Sequence, residues 1–153
     1  MIPGFLAAVL SLLSLHQGTV WLLSRLTLLD VPAGVPVWNL DPNTFGLPVL
    51  ASQSLFAGLY GAAYGWIAPR RQLLGGLLTG VAASLIGLFL VAPLKGAPLA
   101  GGGDPLAWAR PLVVNGIWGI GIGLLHPILS RLTPSRDRSG TAQTGGSPPR
   151  TDR

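Results

Sequence analysis

The chain has 153 residues, of which 49% are hydrophobic and only 10% charged, against the roughly 25% charged residues of an ordinary soluble domain. With a mean hydropathy of +0.55 and 22 glycines, this composition excludes a soluble globular enzyme and points to a lipid bilayer, where glycine is commoner in helices than in water. No cysteine is present, which removes disulfides, thiolate nucleophiles and cysteine-held metal or haem centres. The net charge of +5 and pI near 11.2 do not make a nucleic-acid surface, because the cations are scattered at helix ends and in a tail.

At ~20 apolar residues per span, the length accommodates about four membrane helices and no second domain. The expected fold class is therefore all-α, an integral membrane four-helix bundle over residues 1–132, followed by a tail. The first span is expected over residues 3–25, with Pro3 in the first turn, where its missing N–H costs little. Met1–Gly4 carries no side-chain charge and Leu15–Leu23 offers no A-x-A cleavage site, so the segment is expected to be retained as a helix rather than removed as a signal peptide. Residues 30–45, with Pro32, Pro36 and Pro42, have turn chemistry. Trp38 and Phe45 in that loop suit the headgroup region.

The second span is expected over 46–68, stopped by Pro69, Arg70 and Arg71, and the third over 73–92, stopped by Pro93. A Gly/Pro-rich loop follows, and the fourth span is expected over 111–132, with His126 and Pro127 near its end. Residues 133–153 hold one alanine and no larger aliphatic or aromatic side chain. Such a tail cannot bury enough to offset its ordering entropy and is expected to be disordered.

Four spans place the connection bearing Arg70 and Arg71 on the same face as Arg131 and the arginines of the tail. The opposite face carries Arg25, Lys95 and Arg110 balanced by Asp30, Asp41 and Asp104. The positive-inside rule then puts both termini in the cytoplasm. Residues 58–69, GLYGAAYGWIAP, align with residues 116–127, GIWGIGIGLLHP, at a fixed offset of 58. Duplication of a helical hairpin and convergent use of one packing motif both account for this match.

Gly61 and Gly65, Gly76 and Gly80, and Gly119 and Gly123 each form G-x-x-x-G, which lets another helix backbone approach closely. Two uses stay open: packing inside the bundle, or an outward face that docks a partner subunit. Polar side chains deep in a bilayer are costly and are functional candidates. At 1.5 Å per residue His16 and Gln17 lie roughly 20 Å along the first span, and Gln53 and Asn115 fall in the same outer layer. Interhelical hydrogen bonding and a small polar site with His16 as its titrating member are the two readings of this cluster, with Ser14, Ser52 and Ser54 nearby. His126, near the end of the fourth helix, is about 13 Å away from His16 in depth, so the pair is not expected to ligate one haem. It reads as an interfacial residue at a helix C-terminus. Lys95 reads as a snorkelling cation. No span contains Asp or Glu, and phosphate-loop, H-E-x-x-H and G-x-S-x-G patterns are absent. No enzymatic activity, cofactor or metal is therefore expected.

SLHQG at 14–18, FGLPVLASQSLFAGLYG at 45–61, APLKGAPLAGG at 92–102 and NGIWGIGIGLL at 115–125 resemble blocks of a group of small four-span bacterial inner-membrane proteins of unassigned function. HQG and PLKG are the distinctive parts, and the tail is not covered. The resemblance implies a bacterial inner-membrane location and no activity. The resulting expectation is a non-catalytic accessory or assembly subunit of a larger membrane complex, of respiratory or photosynthetic type, contacting lipid and other subunits through its glycine faces. The alternative is a small transporter or channel with a polar layer around His16.

Overall fold

The computed structural model describes residues 1–67 and 70–133, and they form four helices. Helix α1 spans Ile2–Leu26, α2 Val49–Ile67, α3 Gln72–Leu94 and α4 Pro105–Leu132. By length and composition α1, α3 and α4 can each cross a membrane. α2 is not among them, since Gln53, two serines and two tyrosines dilute its apolar character. The expected tail, apart from Thr133, and the Pro69 stop lie outside the described residues.

Helix starts follow local chemistry. α1 has proline in its first turn, and α4 is capped by Asp104, whose carboxylate accepts from the Leu106 N–H at 3.0 Å, with Pro105 as its first residue. This cap moves the start of α4 six residues ahead of the expected Pro111. Pro111 then lies inside the helix, where it removes a single bond, to a carbonyl still within the first turn. α1 ends at Thr27, which takes a left-handed φ of 49° and donates its N–H to the Leu23 carbonyl.

Both α1 and α3 contain a segment of wider i→i+5 bonding, Leu12–His16 and Gly87–Val91. Such π segments shift the phase of every side chain beyond them, and they occur frequently at functional sites.

The packing order is α2–α1–α4–α3: α1 lies against α2 and α4, α4 lies against α3, and the consecutive helices α2 and α3 hardly touch. The arrangement is an arc rather than a closed bundle. Its core is small-residue and aromatic, with Ala7, Ala8 and Leu12 from α1, Ala57 and Tyr64 from α2, and Trp118 and Ile122 from α4. Large apolar side chains such as Phe56, Trp66, Leu78, Leu90 and Leu124 face outward instead, the pattern of a surface solvated by hydrocarbon.

Glycine decides how close the helices come. A Cβ at Gly61 would strike the Gly4 carbonyl and Ala8, and at Gly65 it would lie 3.2 Å from Gly4 Cα. In the second pair, Gly76 and Gly119 each face the other's carbonyl oxygen, Gly80 faces the Asn115 carbonyl, and Gly123 faces the Gln72 backbone. All six G-x-x-x-G glycines are thus used between helices of this chain, which corrects the outward-docking use kept open above. Backbone proximity with its dispersion contacts holds these pairs, since water expulsion contributes little within lipid. Gly4, the partner of Gly61 and Gly65, lies in no G-x-x-x-G, and its signal in the sequence was only the looser small-residue spacing of Gly4 and Ala8.

Gly4, Gly65, Gln72 and His126 meet at one end of the arc, so Arg70, Arg71 and Arg131 share that end. The other end is closed by the two longer loops. Arg110 clamps the first of them, donating to the Leu29 carbonyl at 3.1 Å and the Asp30 carbonyl at 2.9 Å, with the Asp30 carboxylate at 3.5 Å. Trp108 holds the second through the Ala100 carbonyl at 2.8 Å.

Candidate functional site

The gap between α2 and α3, floored by α1 and α4, is a cavity of about 660 Å³. That volume is within the roughly 300–1,000 Å³ of pockets that hold a small ligand. Both π segments face it, Leu12 and His16 from one and Gly87 and Val91 from the other. Three of the four expected cluster residues, His16, Gln53 and Asn115, line it from three different helices. The fourth, Gln17, lies behind the wall, 4% exposed, and its Nε2 donates to Gln53 Oε1 at 2.9 Å.

The four do not form one hydrogen-bonded network, because α4 carries Asn115 toward α3. There its Nδ2 donates to Ser84 Oγ at 3.1 Å. Ser84 is fully buried, and its hydroxyl lies 3.0 Å from the Gly80 carbonyl and 2.9 Å from the Pro111 carbonyl. His16 keeps its Nδ1 buried with no hydrogen-bond partner among the described residues, an uncompensated cost in a low-dielectric setting. Ser14 takes no part, since its hydroxyl folds back on the Leu10 carbonyl at 2.7 Å.

The loop after α1 covers the polar end of the cavity. Trp38, in a left-handed conformation at φ 49°, donates its indole N–H to the Leu13 carbonyl inside the first π segment at 2.8 Å. It therefore works as an anchor rather than only as a headgroup ring. Asn43 ties the loop to α2 through Ser52, 2.6 Å from Nδ2 to Oγ, and also accepts from the Phe45 N–H. The cavity wall on the α4 side is fixed by a reciprocal pair between α1 and α4. Ser11 donates to the Trp118 carbonyl at 2.6 Å, and the Trp118 indole donates to the Ala8 carbonyl at 2.9 Å. Tyr60 meets Trp118 edge-on at 6.1 Å.

Sequence reasoning missed Ser11 and Ser84 and gave Lys95 and Trp38 other roles. Among the described residues Lys95, read as a snorkelling cation, is the one charged residue on the cavity lining, and no carboxylate lies within ion-pair distance of it. The sequence did carry a signal for it: PLKG places a lysine next to a glycine that turns the chain at φ 82°, at the very end of a span.

His126, expected as an interfacial residue, lies near the C-terminal end of α4 but is covered by neighbouring helices. It is 8% exposed and packs edge-on against Tyr64 at 5.2 Å, with Nδ1 3.2 Å from Gln72 Oε1. Tyr64 in turn donates to Gln72, 2.7 Å to Oε1. A tyrosine one turn from the end of α2 and a glutamine opening α3 absorb its polarity, because the missing Cβ of Gly123 lets α4 lie directly on the Gln72 backbone. His16 and His126 thus belong to separate clusters. No family model matches the chain, and no curated protein or solved structure is detectably similar to it.

Proposed function

We propose that this chain is a non-catalytic, multi-pass protein of the bacterial inner membrane whose working part is the cleft between α2 and α3, and that it binds and carries a small molecule in the manner of a transporter. The convergence of His16, Gln53 and Asn115 from three helices on one cavity carries this reading. Two π segments at its walls support it, as does a roof of loop pinned by Trp38 and Asn43. The cationic end bearing Arg70, Arg71 and Arg131 is the cytoplasmic one by the positive-inside rule, which leaves the polar mouth of the cleft on the outer side. In this reading all four helices span, α2 being screened by its neighbours on one flank.

The accessory-subunit reading drew on the absence of catalytic groups, short outer loops and glycine faces; of these, the glycine faces are occupied by this chain's own helices, which favours the transporter reading. We further infer that the two hairpins, α1–α2 and α3–α4, are tandem repeats. Gly61 and its aligned counterpart Gly119 each face a glycine carbonyl of their own hairpin, and the aligned aromatics Tyr60 and Trp118 meet each other. Mass spectrometry of the intact assembly after gentle solubilisation tests the function. The expected result is this chain alone or with copies of itself, retaining a small molecule that is released on unfolding. A stoichiometric second protein and an empty cleft would restore the accessory-subunit reading and overturn this one.

A further inference from the structure

Each wall of the cleft changes character along its length in the same direction. On α2, Ser52 and Gln53 near the loop end give way to Phe56 one turn deeper; on α1 and α4, His16 and Asn115 give way to Leu12 and Trp118. On α3, Lys95 stands at the mouth and Ile86 lies two turns inside. At 1.5 Å per residue from Val49, Leu26 and Pro105, Gln53 lies about 6 Å and His16 and Asn115 about 15 Å from the loop end, level with Ile86 on α3, so the polar layer takes in the outer ~15 Å. Below it the cavity is apolar. Its flanks, α2 and α3, hardly touch, and their outward side chains such as Phe56 and Leu90 are exposed to the surroundings.

Among the described residues the one charge on the lining is positive, and no acidic residue lines the cavity. The Nδ1 of His16 is buried without a hydrogen-bond partner among the described residues. A site with a cationic, hydrogen-bonding head and an apolar body open between two lipid-facing helices is complementary in charge and in polarity to one class of molecule.

We propose that the cleft binds an anionic phospholipid, its phosphate at Lys95 and the amides of Gln53 and Asn43, its acyl chain lying along Phe56 and Ile86 between α2 and α3. This assignment rests on the cleft being the working part of the protein and names what fills it. Lys95 is exposed and its loss removes no packing, whereas a larger side chain at Ile86 fills the acyl track. Phosphatidylcholine presents the same phosphate, so the discrimination comes from its quaternary ammonium, a like charge held beside Lys95 that costs about tenfold or more in affinity.

The test is mass spectrometry of the full-length chain in mild detergent, titrated in parallel with phosphatidylglycerol, phosphatidylcholine and glycerol phosphate. Phosphatidylglycerol is expected to be retained at least tenfold better than phosphatidylcholine. Lys95→Met is expected to erase that preference, and Ile86→Trp to abolish retention of both lipids while the helical circular dichroism stays unchanged. Equal retention of the two lipids, indifferent to Lys95→Met, overturns the anionic assignment. Binding of glycerol phosphate as tight as that of phosphatidylglycerol overturns the acyl track. A retained non-lipid molecule in place of either overturns this proposal and leaves the cleft as the working site, while a chain that retains nothing overturns both.

Discussion

Replacing Gly76 with alanine measures directly how much the α3–α4 contact depends on the missing Cβ. The new methyl would lie 2.9 Å from the Gly123 nitrogen and nearer still to the Gly119 carbonyl oxygen. Overpacking a close-packed interior costs about 1–3 kcal/mol, and here the obstacles are main-chain atoms of a helix, which have no rotamer to escape into. The substitution also gains about 0.5–1 kcal/mol, because alanine loses less backbone entropy than glycine in a helix. With main-chain obstacles the cost falls at the upper end of that range, about 3 kcal/mol, so the expected net loss is about 2–2.5 kcal/mol. Gly18→Ala supplies the control, since a Cβ there meets nothing within 4 Å, so only the gain of up to ~1 kcal/mol remains. Reversible unfolding by dodecyl sulfate in mixed micelles, followed by far-ultraviolet circular dichroism, reads both. If Gly76→Ala proved as neutral or stabilising as Gly18→Ala, the helices would not meet at Gly76, and the argument that glycine sets the helix spacing would fail.

Two further outcomes follow from single contacts. A double-mutant cycle on Gln17→Leu and Gln53→Leu, read by the same unfolding assay, is expected to return a coupling of ~0.6 kcal/mol, the average for hydrogen bonds within membrane bundles; zero coupling would mean the 2.9 Å bond does not persist in the membrane. Trp38→Phe keeps an aromatic ring but removes the pyrrole half of the indole with its donor to Leu13, so hydrogen exchange of loop residues 35–45 is expected to accelerate while the helices stay protected. Unchanged exchange in that loop would show that the indole bond does not hold the roof.

Much of the architecture was legible because apolar run length and charge placement report directly on how a chain meets a bilayer. Boundaries shifted where local capping prevailed over proline. Asp104 started α4 ahead of Pro111, and Pro93 did not end α3 because it falls within the last turn, at Leu94. The cluster was partly legible. His16, Gln53 and Asn115 were grouped by depth alone, and depth is what a regular rise along a helix conveys. Which of them touch depends on rotation about the helix axes, and the π segments alter that rotation without a mark in composition. Asn115 accordingly found Ser84 rather than His16.

The sequence by itself determined that the chain is helical, that its spans carry no acidic side chain, and that glycines one turn apart would bring helices close, because residue type and spacing carry that information. Its low fraction of charged residues also marked the two ends. Only the tertiary structure decided that the glycine faces are used up internally, that α2 and α3 stay apart, and that Lys95 and His16 face one cavity. Those outcomes depend on which helix pairs win the close contacts, a competition among distant segments that no local pattern records. The cleft exists because both tightest pairings, α1 with α2 and α3 with α4, draw their helices away from the gap between α2 and α3.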